Sequence, residues 1–161
     1  MSPLLGPALR QALVAYWRRL DEELRAAGFA DRGFPDGRVL RICLKEQDVT
    51  VARIGRELGI TRQGAGKIVA SLRERGYVTL APSPDDAREK IVTLSDRATS
   101  FLAARRTAVQ KIDRQIRKEA GEDAFDGLQR ILTALGGDGQ PRMADYLRHS
   151  PNIAALLDPD E

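Results

Sequence analysis

The residues best placed to do chemistry lie in Gly-Ile-Thr-Arg-Gln-Gly-Ala-Gly-Lys-Ile-Val, Gly59 to Val69. Gly-Ala-Gly-Lys has the composition of a phosphate-cradling loop, which requires Gly, four residues, then Gly-Lys-Ser/Thr. Gly66-Lys67 is followed instead by Ile68, the position five before Gly66, where the first glycine should fall, is Thr61, and no apolar strand precedes it. The spacing therefore excludes nucleotide binding at this loop. A helical reading fits better. Arg62, Gln63, Gly66, Lys67, Ala70 and Ser71 fall on one outward face with few acids and few bulky groups, and Arg, Gln and Lys donate well to base edges and phosphates. Each glycine in a helix costs about 1 kcal/mol relative to Ala. Gly66 reads as a point of close backbone approach to an outside surface. Gly64 reads equally as that or as relief of an internal clash.

Little other chemistry competes. Cys43 lies among Leu40, Ile42 and Leu44 and reads as a small core residue rather than an exposed redox thiolate. His149 is the one histidine; alone it builds neither a metal site nor a triad. No Ser/His/Asp set, metal cluster or paired carboxylates can be assembled, so no catalytic residue, metal or cofactor is expected and an enzyme is disfavoured. Tyr16 and Trp17, with Arg38 and Arg41, read either as aromatics of a packed helix face beside solvated arginines or as the lining of a pocket for an anionic aromatic ligand.

Several elements must position the Gly59–Val69 stretch. Leu9, Leu13, Tyr16, Trp17, Leu20 and Leu24 recur at helical steps in a segment from about Leu4 to Ala27, and Arg38 to Lys45 reads as a short buried helix. Thr50 and Thr61 are N-cap residues for two helices, the first carrying Val51, Ile54 and Leu58 inward, the second Ala65, Ile68, Val69 and Leu72. Gly59 breaks the chain between them, Gly55 is small where they cross, and Gly76 ends the second. Tyr77–Ala81 and Lys90–Leu94 alternate like strands, joined by the long Pro82–Glu89 tip. Ser95 caps a helix running to about Ala120. A last helix, about Glu122 to Leu135, is expected to bury Phe125, Leu128, Ile131, Leu132 and Leu135.

The 161 residues, 42% hydrophobic and 30% charged, match a single globular domain, and an all-helical chain of this size can need a partner to cover its apolar faces. A net charge of +3 permits nucleic acid without requiring it. One cysteine suits a reducing compartment. With no basic-then-apolar N-terminal pattern and no apolar run long enough to span a bilayer, the expectation is a cytoplasmic chain with no membrane partner.

The ordered set of helix-turn-helix, Gly76-Tyr-Val, a hairpin with Asp-Asp-Ala-Arg near its tip, and Leu94-Ser95 opening a long helix resembles the MarR family of winged-helix transcription regulators. The likeness is strongest over Val51 to Leu102. It implies a mainly α winged helix-turn-helix with a small β-hairpin wing: one MarR-like domain over 1–161, a DNA-binding lobe at 38–95, dimerisation helices at 1–30 and 96–135, and a C-terminal extension at 136–161. It implies a homodimer on a pseudo-palindromic DNA operator, with one helix in the major groove and the wing in the minor groove. It also implies repression relieved by a small, aromatic or anionic effector. By resemblance, Arg88 is the wing arginine suited to a narrow minor groove, Asp86 orients it, Arg62, Gln63 and Lys67 face DNA, and Thr61 and Lys90 touch phosphates. Ala87 and Glu89 depart from the family, where a second base is common. That weak wing motivates the alternative reading, a winged-helix protein-interaction module that has lost DNA binding.

Overall fold

The computed structural model describes residues 4–31 and 35–137. Among the described residues, six helices and two strands follow in the order α1 (Leu5–Ala26), α2 (Asp36–Lys45), α3 (Val51–Leu58), α4 (Arg62–Glu74), β1 (Val78–Pro82), β2 (Lys90–Leu94), α5 (Asp96–Ala120) and α6 (Glu122–Gly136). This is the mainly α, hairpin-bearing fold expected. The tail beyond Gly137, including His149, lies outside the described residues.

Local hydrogen bonding accounts for where the helices start and stop. Thr50 Oγ1 accepts from the Arg53 N–H at 3.2 Å, Thr61 Oγ1 from Gly64 at 3.0 Å, and Ser95 Oγ from Ala98 at 3.2 Å. Each hydroxyl satisfies a donor that a first helical turn leaves orphaned. Gly59 and Gly76 take φ of 71° and 78°, which an L side chain resists. After Gly76 the Tyr77 N–H returns to the Leu72 carbonyl at 2.9 Å, closing a Schellman turn. This use of Tyr77 explains why β1 begins at Val78, one residue later than its alternation implied.

The chain divides into two compact units, one holding the described residues 4–30 and 103–137, the other Asp31 and 35–102. In the second, β1 and β2 pair antiparallel from Val78 opposite Leu94 to Pro82 opposite Lys90. The Val92 N–H donates to the Val49 carbonyl at 2.8 Å, and Thr50 bridges Ile91, so the chain entering α3 is tied to the free edge of the hairpin. Val39, Leu40, Ile54, Leu58, Ala65, Val69, Leu72, Tyr77, Val92 and Phe101 are buried. A Cβ on Gly55 would sit 3.2 Å from the Ile60 carbonyl oxygen and 3.5 Å from the Ala65 Cβ, the close crossing its size implied.

Polar contacts brace this lobe. Arg75 grips the buried Asp36 carboxylate with both ends of its guanidinium, at 2.6 and 3.1 Å, and donates to the Asp31 carbonyl at 2.7 Å. The Tyr77 hydroxyl and the Arg97 guanidinium meet the Asp31 carboxylate at 2.8 and 3.0 Å. Burial works against the Asp31 charge, but the Tyr77 hydrogen bond and the Arg97 cation outweigh it and hold its pKa below the usual carboxylate value.

Three packing expectations are corrected. Within α2 only part of the apolar run is buried: Leu40 is buried, but Leu44, in the last turn of the helix, is 56% exposed. Val51 is half-buried rather than inward. In α6 Phe125 is buried under the Arg117 guanidinium, 4.1 Å from its ring centroid, but Leu128, Ile131, Leu132 and Leu135 are 41–63% exposed. Periodicity had placed these residues on one apolar face; nothing among the described residues covers it.

Candidate nucleic-acid interface

Helix α4 starts at Arg62, whose backbone is set by the Thr61 cap. Its first turn carries no acidic residue, whereas α2, α5 and α6 open with Asp36, Asp96, and Glu122 with Asp123. The positive end of the α4 dipole is therefore not neutralised from within and favours an anion. Gln63 and Lys67 are exposed on the same helix.

The wing supplies the other side. Across the tip, the Ser83 N–H donates to the Glu89 carbonyl at 3.0 Å and the Glu89 N–H to the Asp86 carbonyl at 2.9 Å. The Asp86 carboxylate accepts the Arg88 backbone N–H at 2.9 Å, a bond that folds the chain locally and fixes where Arg88 leaves it. Asp86 thus reaches Arg88 through the backbone.

Arg62, Gln63 and Gly66 from α4, Arg88 and Lys90 from the wing, and Val51 line one open groove of about 520 Å³. Four of the six residues assigned to DNA by resemblance converge there, with Gly66, the expected point of close approach, as a fifth; Thr61 is occupied as a cap and Lys67 lies further along α4. Arg62 spans the groove, its Nη2 lying 3.2 Å from the Arg88 carbonyl oxygen and 3.2 Å from Glu89 Oε1. Glu89 and Val51 escaped sequence reasoning. Glu89 read only as a missing base, and nothing local pairs it with a residue 27 positions earlier.

The glycines of α4 now separate. A Cβ on Gly64 would sit 3.3 Å from Thr61 Oγ1, so its smallness serves the cap. On Gly66 a Cβ would meet only a Val51 methyl carbon at 4.0 Å, leaving no internal reason for a glycine in this groove.

Arg38 and Arg41 line a second cavity, of about 360 Å³, with Ile42, Lys45, Glu46, Arg56, Glu57 and Leu58. Arg53 pairs with both carboxylates there, Glu46 at 3.0 Å and Glu57 at 2.9 Å. In the other unit the Tyr16 hydroxyl donates to Asp113 at 3.1 Å; burial and then the Asp113 charge push its pKa up to about 12, so it stays protonated. Trp17 is half-buried in the same helix. Burial pushes the Cys43 thiol up to about 11, as befits a packed rather than reactive cysteine. Among the described residues, no three His, Cys, Asp or Glu side chains are grouped to hold a metal, and no helix is long and apolar enough to cross a membrane.

A family model described as MarR family matches residues 23–89, the span from the end of α1 to the wing. Over this span the chain is similar to the MarR family. MarR-family proteins are transcription regulators and not enzymes. Solved structures share the MarR fold over most of their length. The transcriptional repressor CouR, bound to a 23-mer DNA duplex, is 23% identical, with a TM-score of 0.64 over 82% of this chain and 92% of that one. An E. coli MarR mutant complexed with operator DNA is 20% identical, with a TM-score of 0.63 over 82% and 93%. A MepR mutant from S. aureus is 14% identical, with a TM-score of 0.68 over 83% and 96%. Comparison with curated proteins finds no match.

Proposed function

We propose that this chain is a MarR-family regulator, a sequence-specific, homodimeric DNA-binding repressor of transcription that a small anionic ligand releases. The convergence of Arg62, Gln63, Gly66, Arg88 and Lys90 on one groove carries the reading. Three of these five are cations, the helix end beside them is positive, and Gly66 leaves space for a surface to come close. In this reading α4 enters the major groove and presents Gln63 and Lys67 to base edges, Arg88 enters the minor groove, and Thr61 and Lys90 meet phosphates. Residues 38–95 form the DNA-binding lobe. The helices at 1–30 and 96–135 make the dimer, and the exposed leucines of α6 supply an apolar face for a second copy to cover. The cavity at Arg38 and Arg41 is the effector's anion-binding end: its carboxylates are already engaged by Arg53, while among the described residues Arg38, Lys45 and Arg56 form no ion pair.

Fluorescence anisotropy tests this. Duplexes selected by the protein from a random-sequence pool are titrated against salt, beside a scrambled duplex and the R88A variant. The regulator reading expects tight binding to the selected duplex that weakens steeply with salt and on loss of Arg88. Weak, equal binding to every duplex, indifferent to Arg88, overturns it in favour of the protein-interaction module.

A further inference from the structure

We infer that Glu89 is a specificity-determining residue: it tethers Arg62 to the wing and thereby withholds that cation from indiscriminate phosphate binding. This rests on the DNA-binding reading of the groove.

The carboxylate is the anchored partner of the pair. Glu89 donates its N–H to Asp86 and accepts from Ser83 through its carbonyl, so its backbone closes the wing tip at both ends. Its side chain is 22% exposed, against 59% for Arg62. A long, flexible arginine has therefore come to a fixed acid. The second contact, from Arg62 Nη2 to the Arg88 carbonyl, uses the neighbouring residue of the same closed tip. Two acceptors on consecutive wing residues thus hold the guanidinium of the first residue of α4.

Two consequences follow for a duplex in the groove. One of its three cations is neutralised before DNA arrives, which lowers the sequence-independent attraction to phosphate. The same cation is also held in place. A free arginine swings to whichever phosphate is nearest, whereas a tethered one gains only from a duplex that brings an acceptor to it. Non-specific binding therefore loses more than specific binding, and the specificity ratio rises. The acid at this wing position tunes the reader instead of disabling it.

The test compares wild type, E89Q, R62A and the double variant on the selected and scrambled duplexes, by anisotropy from 50 to 200 mM salt, with thermal melts to establish that each variant is folded. Glu89→Gln keeps size and removes charge. The expected result is stronger binding to the scrambled duplex, by about threefold at the lower salt, and a log–log salt slope steeper by about 0.9, the signature of one more phosphate contact. The ratio of selected to scrambled affinity falls, and all these effects vanish in the Arg62→Ala background. If E89Q changes neither slope nor ratio, or strengthens binding equally without Arg62, the tether is overturned while DNA binding stands. If the wild type binds no duplex, the underlying reading fails first.

Discussion

Arg62 donates through its guanidinium to the backbone carbonyl of Arg88, 3.2 Å away, so the start of helix α4 and the tip of the wing are joined across 26 residues of chain. The bond terminates on the wing's backbone and is indifferent to where the Arg88 side chain points. The geometry of the wing tip is therefore transmitted to the helix.

That geometry depends on Asp86. Because its carboxylate accepts the Arg88 N–H, an amide oxygen should replace it. Asp86→Ala loses the bond, worth about 1 kcal/mol, and should weaken DNA binding roughly fivefold with little change in melting temperature. Asp86→Asn should stay close to wild type in the same anisotropy assay. Equal damage from both variants would mean that charge on the Arg88 guanidinium, rather than the local fold, is what Asp86 supplies.

The glycines of the helix-turn-helix should respond in opposite directions. Gly55→Ala drives a methyl against the Ile60 carbonyl and should destabilise, by about 1–3 kcal/mol before the helix gain is subtracted. Gly66→Ala meets nothing close and should stabilise by up to about 1 kcal/mol in urea unfolding. The same variant should bind DNA less tightly. Unchanged affinity would remove the close-approach reason for that glycine.

Arg75 and Asp36 form the buried brace of the lobe. Asp36→Ala strands the guanidinium and should cost about 3 kcal/mol, visible as an earlier urea midpoint. Asp31 gives the pH dependence. Its folded pKa lies below the unfolded one, so its contribution is complete above the ordinary carboxylate value, about 3.9, and is lost as pH falls through the lower folded value. The stability gap between wild type and D31N should be flat above about pH 4 and shrink below it. A gap that closes on raising the pH would contradict this contact set.

The outer face of α6 should control assembly. Ile131 and Leu135 are exposed in one chain, so Ile131→Glu with Leu135→Glu should leave the fold intact. Light scattering should then give a monomer mass where the wild type gives twice that, and DNA affinity should drop with it. A dimer that survives both substitutions places the interface elsewhere.

Cys43 should be inert. With its pKa near 11, roughly one molecule in ten thousand carries the thiolate at pH 7. Labelling by a thiol reagent should be slow and should accelerate about tenfold per pH unit. Complete reaction within seconds at pH 7 would reveal a reactive thiol.

Much of the architecture was legible before any coordinates. Thr50, Thr61 and Ser95 as caps, Gly59 and Gly76 as helix ends, and the β-branched hairpin could be read because each depends on bonds between residues a few positions apart, or on φ values that only some residues tolerate. The outward residues Arg62, Gln63 and Gly66 followed from helical periodicity alone. What covers an apolar face did not follow. The period of 3.6 marks Leu128, Ile131, Leu132 and Leu135 as one stripe but says nothing of which chain meets it.

By itself, then, the sequence determined the order of the elements, the caps and glycine stops that end several of them, and the side from which α4 would present its donors, because these are short-range matters. Only the tertiary structure decided that Glu89 would receive Arg62, that Asp31 would be shared by Tyr77 and Arg97, and that Asp86 would act on Arg88 through the backbone. The first two pairings join residues 27 to 66 positions apart, fixed by how the hairpin and helices pack. The third depends on how the wing tip folds, and residue type and spacing alone did not specify which atom of Arg88 the carboxylate would meet.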